Sequence, residues 1–442
     1  MRTPPCFSAT LLLATALDPG PTRLLEGPAE REDHSCSYAG VADPSLRLPG
    51  AVTVPDPCSP AACRARRESL AARLGDGLFL VQAGEEDQGR FEADDDFHYL
   101  TGLDRPGARL LLVAEEGRLA LDELYLPEQT VQQRLWEGPK LNASDLSADS
   151  TYDRVLPASA FDYSALAERV GSGGVYAVDE LTIAELVEHA LDVKRGRVQL
   201  NLLQSIKSAP ELAALESAIE ITMAALADAI VVALPGAFEF QAEAAIEGGC
   251  RRRGAEFLAF PSICGSGPNS CYLHYRANSR RLEDGDLLLM DVGAKVHGYC
   301  ADFTRTIPVN GRFTPRQREI YTLVYEAQRT AAAALRPGVT MREVHEVAVE
   351  FFEKAGLREH FKHGLGHQLG IRVHDVPGFR GALEPGMVVT VEPGLYLVEE
   401  ELGVRIEDDY LITEDGARKL SDAIPSAPDE LEAYIGRLRG RM

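Results

Sequence analysis

The sequence predicts an α+β protein in which a smaller α/β domain precedes a larger domain with an internal pseudo-twofold duplication. Three observations carry this. An apolar run, Leu287 to Met290, ends in Asp291, passes a turn-prone segment at Gly293 and Gly298, and resumes at Asp302-Phe303-Thr304-Arg305, which reads as a β-hairpin. The design returns downstream: Pro385 to Glu392 repeats the turn, apolar strand and carboxylate of Asp284 to Asp291, and Gly403 to Asp408 supplies a further strand with Glu407. Upstream of each hairpin, a long helical pattern closes on a Pro-Gly pair, at Ala233-Leu234-Pro235-Gly236 and Ala334-Leu335-Arg336-Pro337-Gly338, and a further helix follows. Repeats this long argue for one duplicated domain rather than a solenoid. We expect an N-terminal extension over 1–57, an α/β domain over 58–207 and the duplicated domain over 208–442.

The 442 residues suffice for two large cores, and 45% apolar with 26% charged residues is ordinary for a globular chain. A formal net charge of −23 argues against nucleic acid, which is bound through clustered Lys and Arg. Phe7 to Leu17 is an apolar run behind Arg2, too short to span a bilayer; it reads as a weak export signal or as part of an unstructured extension. Asp18 to Pro60 has the Pro, Gly and Asp content of a linker. Eight cysteines lie scattered without a CxxC pair; Cys58 and Cys63 are near enough to bridge in an oxidising compartment, and Cys271 and Cys300 lie close to candidate site residues.

In the α/β domain, Ala61 to Leu74 reads as a helix with a basic face, Gly77 to Val81 and Leu110 to Val113 as buried strands, and Thr182 to Leu191 as a second helix. The run Asp94 to Asp96 reads as a solvated loop, His98 between aromatics as a core histidine, and Trp136 as structural. The larger domain opens at Pro210, a first-turn proline, with helical spacing over Glu211 to Leu234 and Phe238 to Arg253, then a strand over Phe257 to Cys264.

If Asp291 and Asp302 share a face of the hairpin, their Cβ atoms lie about 4.5–5.5 Å apart, and two such carboxylates repel unless a cation sits between them. That makes the hairpin half of a metal site, or else a solvent-facing pair beside a turn. Glu392 and Glu407 are the corresponding pair in the second half. His363-Gly364-Leu365-Gly366-His367 and His374 add imidazoles in a Gly-rich segment, where glycine lets the backbone pass close to a ligand. No Glu follows His363, so this is not the HExxH zinc signature.

Asp291, Asp302, His367, Glu392 and Glu407 resemble, in order and spacing, the five metal ligands of the pita-bread metallopeptidases, the family of methionine aminopeptidase, aminopeptidase P and prolidase. The segments DDDFHYLTG and LWEG look like the N-terminal domain of aminopeptidase P, so the resemblance extends over roughly 61–430. It implies a pair of divalent ions, Mn2+ by the oxygen-rich donor set, with Asp302 and Glu407 bridging, Asp291 on one ion, and His367 and Glu392 on the other. It implies catalytic roles for His274, His374, Glu392 and Arg405, and substrate contacts from His274, His363, His374, Tyr396 and Arg405. The expected activity is release of the N-terminal residue from peptides with proline second. An X-Pro dipeptidase shares the pattern, since HGLGH occurs in both subfamilies, and some relatives bind peptides without hydrolysis. A cytoplasmic homo-oligomer, dimer or tetramer, without a membrane span is expected; export through the N-terminal run is the alternative.

Overall fold

The computed structural model describes residues 55–85, 91–146, 151–170, 173–189 and 191–440. The apolar run Phe7 to Leu17 and most of the linker lie outside them.

The N-terminal part is built on a six-stranded mixed sheet, in spatial order Arg154–Pro157, Arg118–Leu126, Arg109–Glu115, Gly77–Gln82, Val175–Ala177, Val193–Arg195. Gly77–Gln82 is buried throughout because its alternate residues meet two different cores: Phe79 and Val81 enter one, Leu78 and Leu80 the other. Covering both faces is what makes the strand read as an unbroken apolar run. Helix Pro60–Leu74 starts at a Ser59 cap with proline in its first turn and ends at Gly75, whose φ of 76° places it in the left-handed region.

Three expectations for this part are corrected. The basic side chains Arg66 and Arg67 of the first helix point inward: Arg67 Nε donates to Asp122 at 2.6 Å with both side chains sealed from solvent. Asp94 to Asp96 is a helix start rather than a solvated loop. Asp94 caps helix Asp95–Thr101, accepting from the Asp96 and Phe97 amides, while the Asp96 carboxylate is buried between Arg197 at 2.5 Å and Arg372 at 2.6 Å. Trp136 lies on helix Val131–Glu137, which buries none of its residues, and at 78% exposure it packs no core. His98 is largely enclosed, with Nδ1 at 3.1 Å from Asp104. Cys58 and Cys63 stand as thiols; the Cys63 thiol donates to the Cys58 carbonyl at 3.4 Å.

The C-terminal part repeats one plan. Helices Ala209–Val232 and Glu239–Arg252 precede the first hairpin, in which Leu287–Val292 and Ala294–Val296 run out and Tyr299–Cys300 and Phe303–Pro308 return. Helices Pro315–Ala332 and Met341–Lys354 precede the second, with Val388–Val391 and Gly394–Leu397 out and Leu402–Arg405 and Asp408–Ile412 back. The backbone repeats as well. Gly236 and Gly338, after the first helix of each half, have φ of 94° and 88°; Gly285 and Gly386, before each hairpin, have 92° and 90°. Only glycine adopts such angles without strain, so the matching turns fix four glycines in matching places. Phe257 to Cys264 is not one strand: it divides around Pro261 into Phe257–Leu258 and Ile263–Ser266. Apolar residues of both helix pairs and both hairpins form one core, which includes Leu226, Ile246, Met290, Phe303, Val324, Phe352 and Val389.

A carboxylate-rich candidate metal centre

Each hairpin presents two acids at its bend, by different means. In the first, Asp291 lies opposite Thr304. Asp302 precedes the returning strand by one residue, so by alternation it shares the Asp291 face as a diagonal neighbour, not as the directly opposed partner expected. Gly293 permits this, since a Cβ there would lie 2.1 Å from the Ala301 carbonyl oxygen. In the second hairpin Val391 opposes Asp408, which brings Glu392 and Glu407, the next residues towards the bend, across from each other. The halves are stitched together by Thr304, whose carbonyl accepts from the Glu407 amide at 3.1 Å and whose hydroxyl donates to Glu407 Oε2 at 2.7 Å.

The histidine comes from the loop before Val388–Val391. The Thr390 amide donates to the His367 carbonyl at 2.9 Å. Gly366 allows the approach, because a Cβ there would lie 2.1 Å from the Thr390 carbonyl oxygen. The glycine thus admits a neighbouring strand, where a ligand was expected. His367 Nδ1 lies 3.1 Å from the Gln368 carbonyl, a contact that places the proton on Nδ1 and leaves the Nε2 lone pair free. That nitrogen stands 3.4 Å from Asp302 Oδ2 and 3.7 Å from Glu392 Oε1. One ligand atom each from Asp302, His367 and Glu407 lie within 4.8 Å of one another.

The charges do not balance. Burial, reinforced by the other acids, pushes the Asp302 and Glu407 carboxyls well above the usual carboxylate range, and burial raises Glu392. Against them stands Arg405, 3% exposed, with Nη2 at 2.5 Å from Asp291 Oδ2, Nη1 donating to the Tyr396 hydroxyl at 2.9 Å and Nε to Thr304 Oγ1 at 3.3 Å. Burial opposes the Arg405 charge, but Tyr396, Asp291 and Glu392 hold it well above the ordinary arginine value. Asp291 Oδ1, Asp302 Oδ1 and Glu407 Oε1 are buried without a hydrogen-bond partner. Buried carboxylate oxygens without a partner are costly, and divalent cations are the complement this donor set fits.

A cavity of about 710 Å³ opens onto these groups and includes all five donors, His274, His363, His374 and Arg405 in its wall. His363 is held by its own neighbours, with Nδ1 at 2.8 Å from the Gly364 carbonyl and Nε2 at 2.9 Å from the Tyr396 hydroxyl. Burial and the Arg405 charge push it down to about 4, so it is neutral. His374 packs edge-on against His367 with ring centres 4.3 Å apart, and burial lowers its pKa. Tyr396, expected to touch substrate, instead lies behind the wall, 2% exposed, with its hydroxyl taken by Arg405 and His363. Thr304 and the wall residues Arg372, Lys295 and Arg276 carry no sequence signal of their own, although each lies within or beside a segment that holds a candidate site residue.

Residues 213–414 match the pattern of metallopeptidase family M24, and residues 63–173 that of the aminopeptidase P N-terminal domain. The chain is 34% identical to the Xaa-Pro aminopeptidase of Escherichia coli over 84% of its own length and 96% of that protein's. It is 33% identical to Xaa-Pro aminopeptidase 1 of Streptomyces coelicolor over 85% of its length and 87% of the relative's. Among solved structures it superposes on proline aminopeptidase P II from Yersinia pestis with a TM-score of 0.78 and 31% identity, covering 86% of this chain and 100% of that one. With five donors converging from two duplicated halves behind an N-terminal mixed sheet, the chain belongs to metallopeptidase family M24, as a pita-bread catalytic domain preceded by an aminopeptidase P N-terminal domain.

Proposed function

We propose that the protein is a dimetal Xaa-Pro aminopeptidase that releases the N-terminal residue from peptides with proline in second position. The observation that carries this is the set of buried, unpartnered oxygens on Asp291, Asp302 and Glu407 facing one cavity with His367 and Glu392. These five side chains would hold two divalent ions, Mn2+ on this reading, and the domain boundary falls between 207 and 208, where Ser208 and Glu211 form a capping box. When bound, such ions act as Lewis acids and make water a nucleophile near neutral pH.

Hydrolysis adds water across the X–Pro amide: a hydroxyl to the carbonyl carbon and a proton to the prolyl nitrogen. Glu392, raised by burial, is suited to take the proton from water. His274 and His374, on the cavity wall, face the carbonyl and its developing negative charge. Arg405 keeps Asp291 in place, and Tyr396 with His363 keeps Arg405 in place. An X–Pro bond is a tertiary amide without an N–H, so alignment rests on the wall itself, where Phe260, Ile371 and Val373 supply apolar surface for the ring.

The test is turnover of an X-Pro-Y tripeptide against an X-Pro dipeptide, with and without chelator. Tripeptide cleavage abolished by chelation and restored by Mn2+ is expected; cleavage of the dipeptide alone would make it a dipeptidase. All six described cysteines are free thiols, which suits the reducing cytoplasm. The exposed side chains of Val131, Leu135 and Trp136 suit a homo-oligomer, dimer or tetramer, which light scattering would resolve. No helix among the described residues is long and apolar enough to cross a membrane.

A further inference from the structure

Four permanently charged cations line the cavity: Arg276, Lys295, Arg372 and Arg405. Three are spoken for. Arg405 is bound to Asp291 at 2.5 Å. Lys295 is paired with Glu92 and with Asp95, the latter at 2.8 Å. Arg372 meets Asp96 at 2.6 Å and Asp95 at 3.4 Å. Among the described residues, no carboxylate pairs with Arg276. In a chain of net charge −23, where nearly every cation facing this cavity is already matched, an unmatched guanidinium on the wall is unusual. Its own loop explains nothing structural, since the side chain is exposed and fixes no neighbour.

Where Arg276 stands defines what it can meet. It follows His274 by two residues, so the backbone carries it at most about 7 Å further along the wall. His274 and Arg276 are both exposed, whereas Asp291, Asp302 and Glu407 are buried. On the proposed function, on which this inference rests, the substrate's amino end lies among the four acids and the chain beyond proline leaves towards solvent. A tripeptide then places its terminal carboxylate one residue beyond the proline, within reach of a long, forked, always-charged side chain on the outer wall. A cavity of about 710 Å³ is of the size that encloses a short peptide.

We propose that Arg276 is a specificity-determining residue that binds the free C-terminal carboxylate of short substrates, so that the enzyme favours tripeptide acids over longer or amidated peptides. Arg–carboxylate pairing is bidentate and charge-assisted, and at an exposed site it strengthens binding by about two- to fivefold. Because the contact is far from the scissile bond and present before reaction, it acts on KM more than on kcat.

The experiment compares X-Pro-Y as free acid and as C-terminal amide, on the Mn2+-loaded enzyme and on Arg276→Ala, Arg276→Lys and Arg276→Glu. Expected is a KM for the acid about two- to fivefold below that for the amide in the wild type, a ratio near one for Arg276→Ala, partial recovery for Arg276→Lys and inversion for Arg276→Glu. The wild-type preference should shrink as salt rises. Equal KM values for acid and amide in the wild type, or a preference that survives Arg276→Ala, would overturn the inference while leaving the proposed function intact. A preference that follows an acidic third side chain in the amide, rather than the terminus, would overturn it too. An enzyme that cleaves neither peptide would defeat the proposed function itself.

Discussion

Asp302 and Glu407 each keep one buried oxygen that no protein group satisfies, and, unlike the equally unpartnered Asp409, both line the cavity. Compare Asp96, as deeply buried, whose oxygens are taken by Arg197, Arg372 and Gln204. Asp302→Ala or Glu407→Ala should therefore abolish both bound metal and turnover, as read by metal analysis of the purified protein. His374→Ala should keep the metal and lower kcat by about 10²–10³, the usual cost of losing one donor to developing charge. Thr304→Val removes the hydroxyl that orients Glu407 and should weaken metal binding about 10–100-fold, measured by titration with a chelating competitor. The five proposed donors stand in the sequence in the order and spacing of the family it resembles. The part of Thr304 was not legible there, because it depends on how one hairpin docks against the other. Neither was the retreat of Tyr396 behind Arg405, which depends on pairing within the second hairpin.

At the scale of the element, the two glycines of His363-Gly364-Leu365-Gly366-His367 differ in kind. Nothing lies within 4 Å of a Cβ at Gly364, whereas one at Gly366 would press on the Thr390 carbonyl at 2.1 Å. Gly364→Ala should change little. Gly366→Ala must displace the strand that carries Glu392 or the loop that carries His367, and should lower metal affinity and activity together; paired assays on the two variants check this. A sequence shows glycine at both positions and cannot rank them. It was more informative for the hairpins, whose turn, apolar run and acid repeat in order. For Asp94 to Asp96 local composition misled: acids in a row suit a solvated loop, but they also suit a helix start, and the arginines that bury Asp96 come from distant segments.

For the molecule as a whole, the N-terminal part reaches the site through charge as well as through apolar packing. Asp96 holds Arg372, a wall residue two positions before His374. Asp96→Ala would leave Arg197 without its carboxylate and Arg372 with Asp95 alone, and should cost about 3–5 kcal/mol of stability, seen as a lowered Tm. A second link is His98, which underlies the Gly298 turn of the first hairpin: a Cβ at Gly298 would lie 3.0 Å from its ring. Burial alone would lower His98, but Asp104 and the Cys58 thiol raise it to about 10. An imidazolium held above its free value of about 6.5 stabilises the fold fully below that pH, and the contribution fades as pH climbs through about 10. Wild-type Tm should therefore fall more steeply between pH 7 and 10 than that of Asp104→Asn. None of these long-range pairs was legible, since each joins residues far apart in the chain.

The five proposed donors are spread along the polypeptide in the order Asp291, Asp302, His367, Glu392, Glu407. A ribosome that has made only the first hairpin has produced two of the five proposed donors, and His367, Glu392 and Glu407 are still to come. Tight capture of the ions must then wait until translation has passed Glu407, so loading is an event of the completed chain. Cells starved of the metal during synthesis and resupplied afterwards would recover activity without making new protein.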